Sequence, residues 1–335
     1  MAVNSNLIMQ EAEKKMNNVL EQIEKLGIVP VVVIEDAADA EPVAKSLCDG
    51  GLPAAEVTFR TDAAQQAIRI MTEKFPNMLV GAGTVLTTEQ VDEAQEAGAK
   101  FIVSPGFNPT VVKYCIEKGI PVCPGCNNPS AMEAAMELGL NTVKFFPAEQ
   151  SGGIKAIKAM AAPYTGLKFM PTGGINAKNI NDYLSFNRII ACGGSWMVTQ
   201  ELIANKEFDK IRELTREAVM TVHGFKLKHI GINCESENEA GEVCNLFEKL
   251  FGFTKNEGNA SIFAGEFIEA MKSPYLGQKG HIAIGCNNIA RAAAYLEQIG
   301  TKVDMSTAKY DDKNRLKAVY LPGEIAGFAV HLVQK

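Results

Sequence analysis

No apolar run in this 335-residue chain approaches the ~18 residues that a membrane span needs, and the N-terminal stretch lacks the basic-then-apolar plan of a signal peptide. The expected location is cytoplasmic, with no membrane partner. Positive charge is scarce as well. Lys and Arg number 33 against 39 Asp and Glu, a net charge of −6 with both signs mixed along the chain, so nothing offers a basic footprint for nucleic acid. Aromatics supply only 7% of residues, and histidine occurs four times. The eight cysteines (48, 115, 123, 126, 192, 234, 244, 286) follow no disulfide rhythm, which argues against a secreted disulfide scaffold and for reduced thiols. Cys123-Pro-Gly-Cys126 has Cys-x-x-Cys spacing, but no second pair and no thioredoxin-like context accompany it. Small residues at a strand end are the simpler reading.

What the chain has is a 47% hydrophobic content and a length that fits one large domain plus a smaller one. An amphipathic helix opens it, with Ile8, Ala12, Met16, Val19, Ile23 and Leu26 at helical spacing, in a packing role. From Ile28 a rhythm begins in which a short apolar run ends in a Gly, Pro or polar loop and leads into helical sequence. The strand candidates are 28–34, 54–59, 78–81, 100–103, 120–123, 142–146, 167–170 and 188–191, and a closing helix carries Phe208, Ile211, Leu214, Ala218 and Val222. Eight near-continuous apolar strands alternating with helices within ~200 residues predict an α/β fold, a (β/α)8 TIM barrel.

One lysine stands out against that frame. Asn141-Thr-Val-Lys-Phe-Phe-Pro-Ala-Glu149 reads as a strand whose alternation points Thr142, Lys144 and Phe146 away from Val143 and Phe145, into whatever the strand encloses. A surface strand with its lysine in water is the plain alternative. Inside a barrel, however, burial disfavours the ammonium and turns a lysine into a nucleophile for carbonyl carbon. Active residues of such barrels lie at the C-terminal ends of strands. Those positions hold Glu56, Thr58 and Arg60 after strand two, Gly81-Ala-Gly-Thr84 after three, Ser104-Pro-Gly106 after four, Pro171-Thr-Gly-Gly174 after seven and Gly193-Gly-Ser195 after eight. Each Gly-Gly pair alone could be a tight turn. Together, after strands seven and eight, they suit a main-chain phosphate site.

Glu56-Val-Thr-Phe-Arg-Thr61, Gly81-Ala-Gly-Thr-Val85, Ser104-Pro-Gly106, Lys144-Phe-Phe-Pro-Ala-Glu149, Pro171-Thr-Gly-Gly-Ile175 and Gly193-Gly-Ser-Trp196 resemble, in order, the motif set of the 2-keto-3-deoxy-6-phosphogluconate (KDPG) and 4-hydroxy-2-oxoglutarate (KHG) aldolases. The resemblance spans about residues 20 to 222. It implies a cofactor-free class I aldolase, a homotrimer, that cleaves a 2-keto-4-hydroxy acid to pyruvate and an aldehyde. It implies Lys144 as the imine-forming nucleophile and Glu56 as general acid/base. Arg60 and Thr84 would hold the substrate carboxylate, and Gly173, Gly174 and Ser195 the phosphate, with Thr172 and Gly194 also among the substrate-binding positions. Where some members carry an arginine at the end of the first strand, this chain reads Val31-Val-Val-Ile34, leaving open the balance between phosphorylated and unphosphorylated substrates. An alternative on the same barrel is another phosphate-binding enzyme, an epimerase or synthase, with Lys144 as a charge stabiliser.

Composition shifts after Val222, and His223-Gly-Phe-Lys226 reads as a linker between a first domain at 1–222 and a second at 223–335. All four histidines lie beyond it. His229-Ile-Gly-Ile-Asn-Cys234 and His281-Ile-Ala-Ile-Gly-Cys286 agree at four of six positions, 52 residues apart, and each begins a strand, helix and three-strand pattern. This predicts a smaller α+β domain of two βαβββ units, resembling the vicinal oxygen chelate (glyoxalase-like) superfamily. That resemblance implies a divalent metal held by His229, Glu269, His281 and His331, although a glutamate is commoner at the position of His331. The alternative is a non-catalytic binding or oligomerisation module.

Overall fold

The computed structural model describes residues 16–335, so Ile8 and Ala12 of the expected first helix lie outside the described residues. The chain divides into two compact units, Met1–Val222 and His223–Lys335. Among the described residues no helix is long and apolar enough to cross a membrane.

In the first unit the helix α1 (16–26) is followed by eight strands: β1 (Ile28–Val32), β2 (Ala54–Thr58), β3 (Leu79–Gly83), β4 (Ile102–Val103), β5 (Val122–Cys123), β6 (Thr142–Phe145), β7 (Lys168–Pro171) and β8 (Cys192–Gly194). Between and after them come α2 (Ala40–Asp49), α3 (Ala64–Lys74), α4 (Thr88–Glu96), α5 (Pro109–Glu117), α6 (Pro129–Glu137), α7 (Gly153–Ala161), α8 (Ile180–Leu184), α9 (Gln200–Ala204) and α10 (Phe208–His223). The starts of α5 and α6 share one device. Asn108 and Asn128 cap the first turn through their side chains, and Pro109 and Pro129 follow where no N–H is needed.

Six strands form a sheet in the order β5-β4-β3-β2-β1-β8, and β6 pairs with β7, all parallel. Single parallel bridges, Gly125 to Lys144 on one side and Phe169 to Ile189 and Thr172 to Gly193 on the other, join the two pieces into a curled, barrel-like circuit. At the N-terminal ends of the strands Val19 and Ile23 of α1 pack with Val29, Ala54, Leu79, Phe101 and Ile190, which gives α1 its packing role. The Phe101 ring lies where a Cβ at Gly81 would stand, so that glycine is a requirement of the core.

The eighth strand departs from the sequence expectation. Residues 188–191 have the apolar composition, yet the ladder to β1 runs through Cys192, Gly193 and Gly194. Glycine carries no side-chain signal for a strand, while hydrogen bonding to β1 decides the register. Strands β4 and β5 are two residues each, shorter than their apolar runs.

The second unit is one eight-stranded sheet with β9 (Lys226–Asn233), β10 (Lys255–Glu257), β11 (Ser261–Ala264), β12 (Ile268–Met271), β13 (Gly280–Cys286), β14 (Asp304–Tyr310), β15 (Leu316–Ile325) and β16 (Phe328–Gln334), in the order β10-β11-β12-β9-β13-β16-β15-β14. Helix α11 (Glu237–Phe251) follows β9 and α12 (Ile289–Gln298) follows β13. The two halves meet at the antiparallel β9–β13 pair. In each half the last strand returns parallel to the first. Ile232, Cys234, Ile262, Ala264 and Ala270 pack with Ala240 and Cys244 of α11, and Cys286, Val319 and Leu332 pack with Ile289 and Ala292 of α12. By strand alternation the intervening residues, His229, Gly231, Glu269, His281 and His331, lie on the opposite face.

The stretch read as a linker is packed instead. His223 is buried, with its ring 5.2 Å from Phe225 and 4.6 Å from Tyr295. Burial first, then the Arg291 charge, push its pKa down to about 4.

Candidate active site and a histidine cluster

Strand alternation on β6 turns Lys144 inward, and the same alternation on β2 turns Glu56 and Thr58 inward. Lys144 Nζ lies 3.1 Å from Glu56 Oε1, with the two side chains only 7% and 1% exposed. The Phe146 ring lies beside the amine, its centroid 5.3 Å from Nζ. Glu56 Oε2 is buried and has no hydrogen-bond partner among the described residues. Gly83 on the neighbouring strand makes the space, since a Cβ there would overlap Glu56 Oε1. Thr58 makes no hydrogen bond with this pair and donates to the Val32 carbonyl at 3.2 Å.

Arg60 stands exposed beyond the end of β2, and its Nε donates to Thr84 Oγ1 at 3.3 Å. Thr84 holds a left-handed backbone, φ 57°, a costly conformation for a β-branched residue. That turn is what carries its hydroxyl to Arg60. Ser104 serves its own loop, donating to the Gly106 carbonyl at 2.8 Å.

After β7, Gly173 and Gly174 adopt φ 104° and 78°, which only glycine takes at low cost. Thr172 is buried with Oγ1 unpartnered among the described residues, and Gly193 leaves room for it. Gly194 is buried and Ser195 is exposed. The structure therefore brings together Lys144 with Glu56, Arg60 with Thr84, and Thr172 with Gly193 of β8.

Cys123 and Cys126 are buried free thiols. Burial pushes Cys126 up to about 12 and Cys123 higher still, so both rest as protonated thiols at neutral pH.

The sequence model of the family described as KDPG and KHG aldolase matches residues 19–214. The chain belongs to this family. It is 50% identical over 201 residues to the 2-dehydro-3-deoxy-phosphogluconate aldolase of Haemophilus influenzae, a match covering 60% of this chain and 95% of that protein. Among solved structures it is similar to the KDPG aldolase of Legionella pneumophila with pyruvate captured at low pH as a covalent carbinolamine intermediate. That likeness has a TM-score of 0.58 and 38% identity, covering 59% of this chain and 97% of that one. The 2-keto-3-deoxy-6-phosphogluconate aldolase of Zymomonas mobilis ZM4 with 3-phosphoglycerate gives a TM-score of 0.56 at 41% identity, covering 60% and 94%. The motif residues of this KDPG and KHG aldolase family chain all fall within the matched region.

In the second unit His229, His281 and His331 can each offer a ring nitrogen, and these atoms lie within 4.8 Å of one another. Glu269 Oε2 lies 3.0 Å from His229 Nε2 and 3.1 Å from His281 Nε2, while Ser261 donates to its other oxygen at 2.6 Å. Burial alone would raise the Glu269 pKa. The hydrogen bonds from His229, His281 and Ser261 outweigh it and hold the carboxyl well below its usual range.

His331 is 7% exposed and neither ring nitrogen has a partner among the described residues. Burial, then the His281 and His229 charges, push it down to about 3. Tyr320 stacks on its ring at 4.6 Å. A Cβ at Gly231 would overlap the His281 ring, so the bare main chain of β9 makes room for the cluster. The sequence reading found all four of these residues but passed over Tyr320 and Ser261, whose alternation on β15 and β11 faces them inward without any motif.

Proposed function

We propose that the first unit is a class I aldolase that cleaves 2-dehydro-3-deoxy-6-phosphogluconate to pyruvate and glyceraldehyde 3-phosphate, or 4-hydroxy-2-oxoglutarate to pyruvate and glyoxylate. The observation that carries it is the buried 3.1 Å contact between Lys144 and Glu56 within the family match. Lys144 attacks the C2 carbonyl and loses water to give a protonated imine. Glu56 takes the proton of the C4 hydroxyl, the C3–C4 bond breaks, and its electrons pass into the imine to leave an enamine as the aldehyde departs. Glu56 returns a proton to the enamine carbon, and water then releases pyruvate and the free lysine.

The unpartnered Oε2 of Glu56 supports its role as proton acceptor. Arg60, with Thr84 bound to its Nε, suits the substrate carboxylate, a pairing the guanidinium fork favours. Gly173, Gly174, Gly194, Thr172 and Ser195 suit the phosphate. Pyruvate release from both substrates tests the reading. Wild-type protein should release pyruvate from at least one and Lys144→Met from neither, whereas activity in Lys144→Met would overturn it. The assembly proposed is a homotrimer, checked by light scattering. Eight cysteines spaced without a disulfide rhythm support a reducing, cytoplasmic setting.

For the second unit we propose a divalent metal site held by His229, Glu269, His281 and His331. The two orphaned nitrogens of buried His331, and the three histidine nitrogens within 4.8 Å of one another, fit such a group. Three imidazoles and one carboxylate suit zinc, nickel, iron or manganese. A bound ion would supply Lewis acidity there. Ser261, through Glu269, and Tyr320, through His331, would hold the ligands in place.

A further inference from the structure

Glu149 ends the lysine motif, and the aldolase chemistry gives it no task. Its position is nonetheless fixed at three points. The main-chain N–H donates to the Gly173 carbonyl at 3.1 Å. The stem lies against Gly174, where an added Cβ would come within 2.6 Å of Glu149 Cγ. The carboxylate accepts from the hydroxyl of Tyr183, a residue of α8 that is 1% exposed.

A buried tyrosine hydroxyl needs a partner, and this one reaches from α8 to the turn after β6 to find it. Burial, then the Glu149 hydrogen bond, push the Tyr183 pKa up, so the phenol remains a donor. Gly153, the first residue of α7, clears the space, since a Cβ there would stand 3.2 Å from the Tyr183 hydroxyl and 3.3 Å from Glu149 Oε1. From the other side Asn179 donates to the Gly174 carbonyl at 3.1 Å. The left-handed Gly173-Gly174 turn is therefore gripped on both peptides.

Two consecutive glycines lose more freedom on ordering than any other pair, so a turn built from them binds an anion well only if something else holds it. The end of β1, Val31-Val-Val-Ile34, offers no cation to compensate. We propose that Glu149 and Tyr183 are a positioning pair for the phosphate end of the substrate, fixing the Gly173-Gly174 main chain and thereby setting the preference for phosphorylated over unphosphorylated 2-keto-4-hydroxy acids. The proposal rests on the aldolase reading and on the phosphate cradle within it.

Steady-state kinetics of the full chain on both substrates test it, with Tyr183→Phe, Glu149→Ala and Glu149→Gln. Tyr183→Phe and Glu149→Ala should raise KM for the phosphorylated substrate ~10-fold, the loss expected for one charge-assisted hydrogen bond. Their kcat on it, and both parameters on 4-hydroxy-2-oxoglutarate, should stay within about twofold. Glu149→Gln keeps an acceptor for the phenol and should recover most of the affinity. Equal losses on both substrates would mark a merely structural pair and overturn the proposal, as would no change on either. Wild-type protein active only on the unphosphorylated acid would overturn it too. Wild-type protein inactive on both would instead overturn the aldolase reading itself.

Discussion

Lys144 and Glu56 are both almost fully buried. Leaving either buried charge without its partner costs ~3–5 kcal/mol, so Glu56→Ala would confound stability with chemistry. Glu56→Gln keeps a hydrogen-bonding oxygen at 3.1 Å from the amine and removes only the base. It should retain imine formation with pyruvate while turnover falls ~100-fold or more. Full turnover in that variant would remove Glu56 from the proton transfers. Gly83→Ala probes the same carboxylate from the neighbouring strand, because the new Cβ would overlap Oε1. A fall in kcat with a lowered melting temperature is expected, since the buried carboxylate is crowded, and an unchanged kcat would show that it has room to move.

At the level of strands and helices, the second unit places its four candidate ligands on β9, β12, β13 and β16, adjacent in the sheet. Stoichiometric zinc binding to the full chain, read by calorimetry, should vanish in His229→Ala with His281→Ala and weaken ~10-fold or more in Gly231→Ala, which displaces the His281 ring. An unaltered wild-type titration curve in the double variant would favour the non-catalytic module. The grouping of these residues was legible in the sequence because two repeated segments open on His229 and His281 and strand alternation is strict. Lys144 was legible for a similar reason, as the one charge in an apolar strand. The position of β8 was not, since glycines carry its register, and neither was the Glu149–Tyr183 contact, which spans 34 residues and depends on how the turn after β6 meets α8.

On the scale of the whole molecule, the two units should respond differently to acid. His223 has a folded pKa of about 4 against an ordinary 6.5, so below 6.5 the unfolded chain binds the proton first. Stability from the neutral, buried ring is fully present above pH 6.5 and is lost as pH falls toward 4, by about 3 kcal/mol. His331, held down to about 3, adds in the same direction in metal-free protein. Calorimetry should show the unfolding transition of the second unit moving down in temperature across this window, with His223→Phe flattening the dependence. A transition that does not move with pH would contradict the buried neutral histidine.

The central claim, that Lys144 is a Schiff-base nucleophile for a pyruvate-forming cleavage, is tested most directly by peptide-mapped mass spectrometry after incubation with pyruvate and borohydride. A reduced pyruvyl adduct on Lys144 is the predicted result. Folded protein with no adduct, or with the adduct on another lysine, would contradict it and favour a phosphate-binding barrel in which Lys144 only stabilises charge.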